Sequence, residues 1–498
     1  MSANDTLRRF GNLIGGEWVP PSTGNWAPNR SPADRDDVVG NYPQSSAKDA
    51  EAAIAAAKAA FPAWAGTPGP ARGRILARAV ELFRQKHDDI ARVRAREEGK
   101  TFAEAKGEIS KGINLFEFFA GEGFRTHGKT LPSETRSQFT YTIRQPLGVV
   151  ALITPWNFPF AIPAWKSAPA LVTGNTVVMK PASNTPGTAT MIAEVLVEAG
   201  LPKGVFNLVT GPGGAVGNTL IDSPAVQAVS FTGSNEIGMA LCMRCAKRGI
   251  RVTAEMGGKN PVVVLDDADL ELATTGILQG AFGSTGQRCT ATSRVVVTRG
   301  IAPKLIENLV AGAKKIRVGN PLAADVDMGP AVDQSQLDTN LAYVKIGQEE
   351  GARLLTGGNR LTGGALEKGF FFEPAVFSGV KPGMRLHQEE VFGPVLSIVE
   401  VGDFEEAVAA ANHIDFGLSA SIYTRDANTI MKFIERAEVG MVHVNNPTVG
   451  GEAQLPFGGW KSTGVGEREM AEEGAEFFTQ LKTVFFDYTG AARTSKIY

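Results

Sequence analysis

Cysteine is scarce in this chain, with three in 498 residues. So few, in no even set, argue against a disulfide-stapled secreted scaffold and fit a reducing compartment. An excess of either charge is also missing, because 50 Lys and Arg meet 52 Asp and Glu for a formal net charge of −2. That balance offers neither the basic field that nucleic acid requires nor a footprint for an anionic membrane. Long hydrophobic runs are lacking too. The opening MSANDTLRRFGNL has no apolar signal-peptide core, and the most apolar stretch, VVALITPWNFPFAIPAW, is broken by Pro155, Pro159 and Pro163. These absences lead to the expectation of a cytoplasmic protein with no nucleic-acid or membrane partner. The length exceeds what one core normally fills, so two or more domains are expected.

What is present is an alternation of short apolar runs and helical stretches. A helix is expected over 46–61, opened by a Ser46–Asp49 capping box, with more helix to about 120. Strands are expected at 147–153, 176–180, 204–209, 226–231, 250–254 and 261–265, with helices over 186–199, 213–222 and 235–248. A second series has strands at 294–298, 394–401, 419–424 and 440–445, with helices near 302–316, 403–412 and 427–438. The order implies an α/β fold built on doubly wound parallel sheets. QFTYTIRQ (138–145) and LKTVFFDY (481–488) read as extended arms able to pair with each other or with another subunit. Cys242 and Cys245 form a lone CxxC with no second ligand pair, and read as two packed helix residues rather than a metal site.

Ligands of open α/β sheets bind beyond the carboxyl ends of the strands. Here those ends carry TPWNFP with Asn157, MKPAS with Lys180, the helix-entry turn TGSNEIG, and EMGGKNP with Glu255. TGSNEIG alone is neither a G-x-G-x-x-G fingerprint nor a P-loop, though its backbone N–H groups suit a phosphate. Cys289, in the small and polar loop FGSTGQRCTATSR, adds a thiol with no apolar surroundings to explain it. A thiolate there would attack an aldehyde carbon, with the Cys289 N–H and the Asn157 amide holding the oxyanion. Hydride loss to a nicotinamide would leave a thioester, and Glu255 would activate the water that cleaves it.

These residues, together with EEVFGPV and LPFGGWKSTGVG in the same order, make the chain resemble the aldehyde dehydrogenase superfamily over nearly its whole length. The resemblance implies a Rossmann-like NAD(P)-binding domain (1–124 and 147–257), an α/β catalytic domain (258–477) and a small β oligomerisation arm (125–146 and 478–498). It implies Cys289 as nucleophile, Glu255 as general base, Asn157 as oxyanion donor, and Lys180 on the adenine ribose. Thr154, Pro155 and Trp156 would line the cofactor crevice with Gly213, Gly217 and Phe231. Gly233 and Ser234 would stand near the pyrophosphate, Gly257 beside Glu255, and Glu390 on the nicotinamide ribose next to Phe392. The arm implies a homodimer or homotetramer, and no metal is required. Members that prefer NAD often carry Glu three residues after the lysine; this chain has Ser183, so NADP is expected to be accepted alongside NAD.

The resemblance places the small-molecule aldehyde in a tunnel lined by Lys111, Phe158, Trp165, Arg288, Gly450, Gly451 and Phe457. Two cations and two glycines suit a substrate with an acid at its far end, unless the cations face solvent or acidic neighbours. GQRCTATSR and VNNPTVGGEAQLPFGG are most similar to the 2,5-dioxopentanoate (α-ketoglutaric semialdehyde) dehydrogenases. Dehydrogenases of succinate semialdehyde or α-aminoadipate semialdehyde, or of a broad range of aldehydes, are the alternatives within the family. A cysteine hydrolase or acyltransferase without redox would want a His partner, and no His motif near these segments suggests one. Transfer of the thioester to coenzyme A is a further alternative, and the intact Glu255 favours water.

Overall fold

The computed structural model describes residues 8–490; residues 1–7 and 491–498, the ends of the expected cofactor-binding segment and of the expected arm, lie outside the described residues. Five of the six expected strands of the first series are parallel neighbours in the order Phe206–Leu208, Thr176–Lys180, Val149–Ile153, Val226–Thr232, Arg251–Glu255, whereas the sixth, expected at 261–265, is Asn260–Val264 and pairs inside the second sheet. Their side chains alternate between two apolar cores. Val150, Leu152, Val177 and Met179 enter one, against helices that include Phe102–Arg125, Ala161–Val172 and Pro186–Glu198. Val149, Ala151, Val178 and Val229 enter the other, against Ala47–Gly66 and Asn235–Arg248. With both faces covered, each strand can be apolar throughout, and this is why the runs read so clearly.

The edges of this sheet differ from the parallel expectation. Asn12–Ile14, Glu17–Val19 and Gly464–Val465 add antiparallel strands. Segments of two or three residues are too short to display a period, so the sequence held no sign of them. A second difference lies at 213–222, expected as one helix. The backbone makes a π-helical turn over Gly213–Gly217 before the helix Asn218–Asp222, as its three glycines permit.

The second sheet runs Arg353–Thr356, Ala375–Ser378, Val395–Val401, Thr292–Thr298, Asn260–Val264, Ser419–Tyr423, Met441–Val444, with only its first pair antiparallel. Helices cover both of its faces as well. In the third sheet the two extended arms pair with each other, in a register from Thr479 opposite Pro146 to Asp487 opposite Gln138. Phe139, Leu481, Phe485 and Phe486 stand exposed on it.

Local signals held where they were explicit. Ser46 and Asp49 form the capping box of Ala47–Gly66. Cys242 and Cys245 are buried on Asn235–Arg248, where desolvation pushes the Cys245 thiol up to about 11. Among the described residues no helix is long and apolar enough to cross a membrane.

Candidate active site

The nucleophile loop follows the helix Leu270–Phe282 through a tight turn, Gly283–Gly286. Ser284 and Thr285 there both adopt left-handed backbone, at φ 53° and 57°. Two consecutive non-glycine residues in that region are strained and must be held by their surroundings. Glu104 Oε1 accepts the Ser284 N–H at 2.6 Å, Arg288 Nη2 donates to Ser284 Oγ at 2.6 Å, and Thr285 Oγ1 donates to Gly329 O at 3.1 Å. Asn157 Nδ2 donates to Gln287 O at 3.2 Å, and Asn260 Nδ2 to Cys289 O at 2.8 Å. The expected oxyanion donor and nucleophile are thus tied to one loop.

Burial, then the carboxyls of Glu390 and Glu255, push the Cys289 thiol up to about 12, with Lys111 pulling the other way. Glu255 ends the strand Arg251–Glu255 and is buried, with Oε2 lacking any hydrogen-bond partner among the described residues. Desolvation and then Glu469 hold its carboxyl well above the ordinary range, against Lys166 and Arg468. A side chain at Gly458 would put its Cβ 2.6 Å from Glu255 Oε1, and φ there is +147°, so LPFGG needs glycine at that position. Behind it lies a buried group that the sequence did not reveal. Lys166 Nζ donates to Ser230 Oγ at 2.7 Å and pairs with Glu469, whose Oε2 accepts Trp165 Nε1 at 2.7 Å. The one available signal was a lysine inside the otherwise apolar AIPAWKSAPALV.

All seven expected substrate residues line one cleft of about 270 Å³ together with Cys289. Trp165 and Phe457 pack at a 34° tilt with centroids 5.3 Å apart, and Lys111 Nζ lies 5.4 Å from the Trp165 ring centre. Gly450 and Gly451, at φ +137° and +154°, leave room there, since a Cβ on Gly451 would come 3.2 Å from Lys111 Nζ. Lys111 makes no ion pair among the described residues, and burial lowers its ammonium pKa. Arg288 is less free, with Glu104 at 3.5 Å and Ser284 on its fork. The cleft also holds Lys100 and Glu108, which the sequence reading missed. On an amphipathic helix pattern, buried charges look the same as a solvated face.

A second cavity, about 440 Å³, lies at the ends of the first sheet and is lined by Lys180, Gly213, Gly217 and Phe231 among others. Lys180 is buried there, its Nζ donating to Pro181 O at 2.9 Å, and desolvation lowers it to about 8. Gly213 and Gly214 face open space, and Ser234 begins Asn235–Arg248 with no side-chain cap, leaving the first N–H groups free for an anion. Thr154 Oγ1 and Thr232 Oγ1 are buried without partners among the described residues. Glu390 Oε1 accepts the Gly258 N–H at 2.8 Å, directly over Gly257, and burial raises it to about 7. Trp156 meets Phe392 edge-on at 5.4 Å, and Phe392 itself has φ +58°. Pro155 lies between Thr154 and Trp156 in the same turn, and Ser183 donates to Gly211 O at 3.3 Å. A buried cation, open glycines, a free helix start and orphaned hydroxyls fit a dinucleotide.

Comparison with known proteins agrees over most of the chain. A family model described as "Aldehyde dehydrogenase family" matches residues 18–484. The alpha-ketoglutaric semialdehyde dehydrogenase of Bacillus subtilis is 47% identical over 485 residues, covering 97% of this chain and 99% of that protein. The 2,5-dioxopentanoate dehydrogenase of Saccharolobus solfataricus is 44% identical over 458 residues, covering 91% and 95%. The crystal structure of an NAD-dependent aldehyde dehydrogenase from Sinorhizobium meliloti superposes with a TM-score of 0.95 at 37% identity, covering 98% of this chain and 97% of that one.

Proposed function

This chain belongs to the aldehyde dehydrogenase family and is an NAD(P)-dependent aldehyde dehydrogenase; from that premise we propose that its substrate is an aldehyde bearing a distant carboxylate, 2,5-dioxopentanoate foremost. The observation that carries the substrate is Lys111, a half-buried ammonium lining the cleft of Cys289 with no carboxylate paired to it among the described residues. An unpaired charge partly withdrawn from water carries a desolvation cost, and an incoming carboxylate offsets it. Arg288, only partly engaged by Glu104, adds a second donor. The names borne by the Bacillus and Saccharolobus relatives support the same substrate. The α-aminoadipate semialdehyde alternative fits less well, since its ammonium would meet Lys111.

In this reading Cys289 gives up its thiol proton to solvent and its Sγ adds as the thiolate to the aldehyde carbon, and the oxyanion is held by the Cys289 N–H and the Asn157 amide. The bound nicotinamide supplies the hydride acceptor that turns the thiohemiacetal into a thioester. Glu255 takes a proton from water, the hydroxyl adds to the thioester carbon, and the Cys289 sulfur leaves with the acid released. Lys180, Ser234 and Glu390 would hold the adenine ribose, pyrophosphate and nicotinamide ribose. Ser183 supports NADP acceptance, because a hydroxyl bonded to Gly211 O leaves Lys180 without a neighbouring carboxylate to repel a 2′-phosphate. Exposed Phe485 and Phe486 support the arm as a subunit contact, giving a dimer or tetramer.

Lys111→Met keeps the length and removes the charge. It is expected to lower kcat/KM for 2,5-dioxopentanoate by roughly 10- to 100-fold, the worth of a charged hydrogen bond, while leaving hexanal nearly unchanged. Equal losses for both aldehydes in the same steady-state assay would remove the anchor.

A further inference from the structure

Behind Asn157 lies a cluster of four charges with little access to water. Lys100 Nζ donates to the Asn157 carbonyl oxygen, and Arg94 Nη2 reaches the same oxygen at 3.5 Å. Arg94 Nε binds Glu108 Oε2 at 2.7 Å, and Arg94 Nη1 lies 3.5 Å from Glu98 Oε2. Lys100 Nζ stands 3.6 Å from Glu108 and 3.9 Å from Glu98. None of the four is more than 4% exposed. Glu108 Oε1 in turn accepts the N–H groups of Phe160 (2.9 Å) and Ala161 (3.2 Å). The turn after the strand Val149–Ile153 is therefore gripped twice, by cations on the carbonyl of residue 157 and by a carboxylate on the amides of 160 and 161.

Two cations balanced by two carboxylates need not be buried for stability, since apolar residues of similar volume often serve as well or better. What the cluster does supply is a fixed orientation for one peptide group. The Asn157 side chain spends one N–H on Gln287 O, so its other N–H keeps its direction only while that backbone is held. We propose that Lys100, backed by Glu98 and Glu108, is a positioning residue for aldehyde oxidation: it clamps the Asn157 carbonyl and so aims the Asn157 amide at the thiohemiacetal oxyanion. The proposal rests on the reading of Asn157 as oxyanion donor. Lys100 also lines the substrate cleft, with Nζ 3.5 Å above the Phe158 ring centre, so contact with substrate is the competing role.

A double-mutant cycle separates these roles, read as the single-turnover rate of reduced-cofactor formation at 340 nm and as KM for the aldehyde. Asn157→Ala is expected to slow the single turnover by roughly 10²- to 10³-fold, the usual cost of one oxyanion donor. Lys100→Met is expected to slow it by about tenfold at nearly constant KM, and by less than about twofold once Asn157 is already Ala, because the two act as one unit. Lys100→Arg should restore most of the rate. The alkylation rate of Cys289 and the Kd for cofactor should stay unchanged in each variant. Should Lys100→Met not accumulate, Lys100→Gln carries the same cycle. A wild-type rate for Lys100→Met, an equal loss with Asn157 already removed, or a change confined to KM would each overturn the proposal. Asn157→Ala turning over at the wild-type rate would instead overturn the oxyanion reading beneath it.

Discussion

Cys289→Ala is expected to abolish aldehyde oxidation, lowering kcat by roughly 10⁴-fold or more, as removal of an enzyme's nucleophile does, while cofactor still binds with unchanged Kd. Cys289 is the one thiol of the three that lines a cleft, whereas Cys242 and Cys245 are packed into a helix core. No other described side chain in that cleft could form the thioester. The thiol is protonated at rest, because burial, Glu390 and Glu255 push it up to about 12. Iodoacetamide labelling at neutral pH should therefore be slow in the free protein, and the labelling that does occur should vanish in Cys289→Ala. Substantial residual turnover by that variant, followed at 340 nm, would reject the nucleophile assignment.

Glu255→Gln is expected to separate the two halves of the reaction. Hydride transfer should still give a burst near one equivalent of reduced cofactor per active site, while the steady rate falls by roughly 10²- to 10⁴-fold, the range for a lost general base. The pH dependence follows from the shifted carboxyl. Desolvation and Glu469 raise the Glu255 pKa, so its base form grows as pH rises. The wild-type steady rate should climb with pH through that range and the Gln variant should lose the climb. An unchanged steady rate, or the same pH limb surviving in Glu255→Gln, would remove Glu255 from the hydrolytic step.

The sequence carried much of this site because a doubly wound sheet places function at strand ends. Val149–Ile153 and most of Thr176–Lys180 are apolar because both faces are covered, so the polar residues at or just beyond strand ends, among them Asn157, Lys180 and Glu255, stand out in the sequence. The arms paired as their alternation suggested, since each is long enough to show a period. What stayed hidden needed contacts far apart in sequence. The Lys166–Glu469 pair spans 303 residues, and the strand Gly464–Val465 finds Ala254 and Glu255 only in the folded chain. Glu108 sits on the helix Phe102–Arg125, where helical spacing cannot distinguish a buried charge from a solvated one, and Lys100 sits just before its N-cap Thr101 in KTFAEAKGE. Ser284 and Thr285 take left-handed backbone that their side chains do not announce, held there by Glu104 and Gly329.

The most direct test of the substrate is kcat/KM for 2,5-dioxopentanoate, succinate semialdehyde and hexanal, each with NAD and with NADP, followed at 340 nm. With an unpaired Lys111 and a partly engaged Arg288 in the cleft, both acids should exceed hexanal by roughly tenfold or more, the worth of a charged contact. 2,5-Dioxopentanoate should lead, and NADP should support turnover because Ser183 offers no repulsion. Hexanal matching or exceeding the acids would contradict a carboxylate-binding cleft.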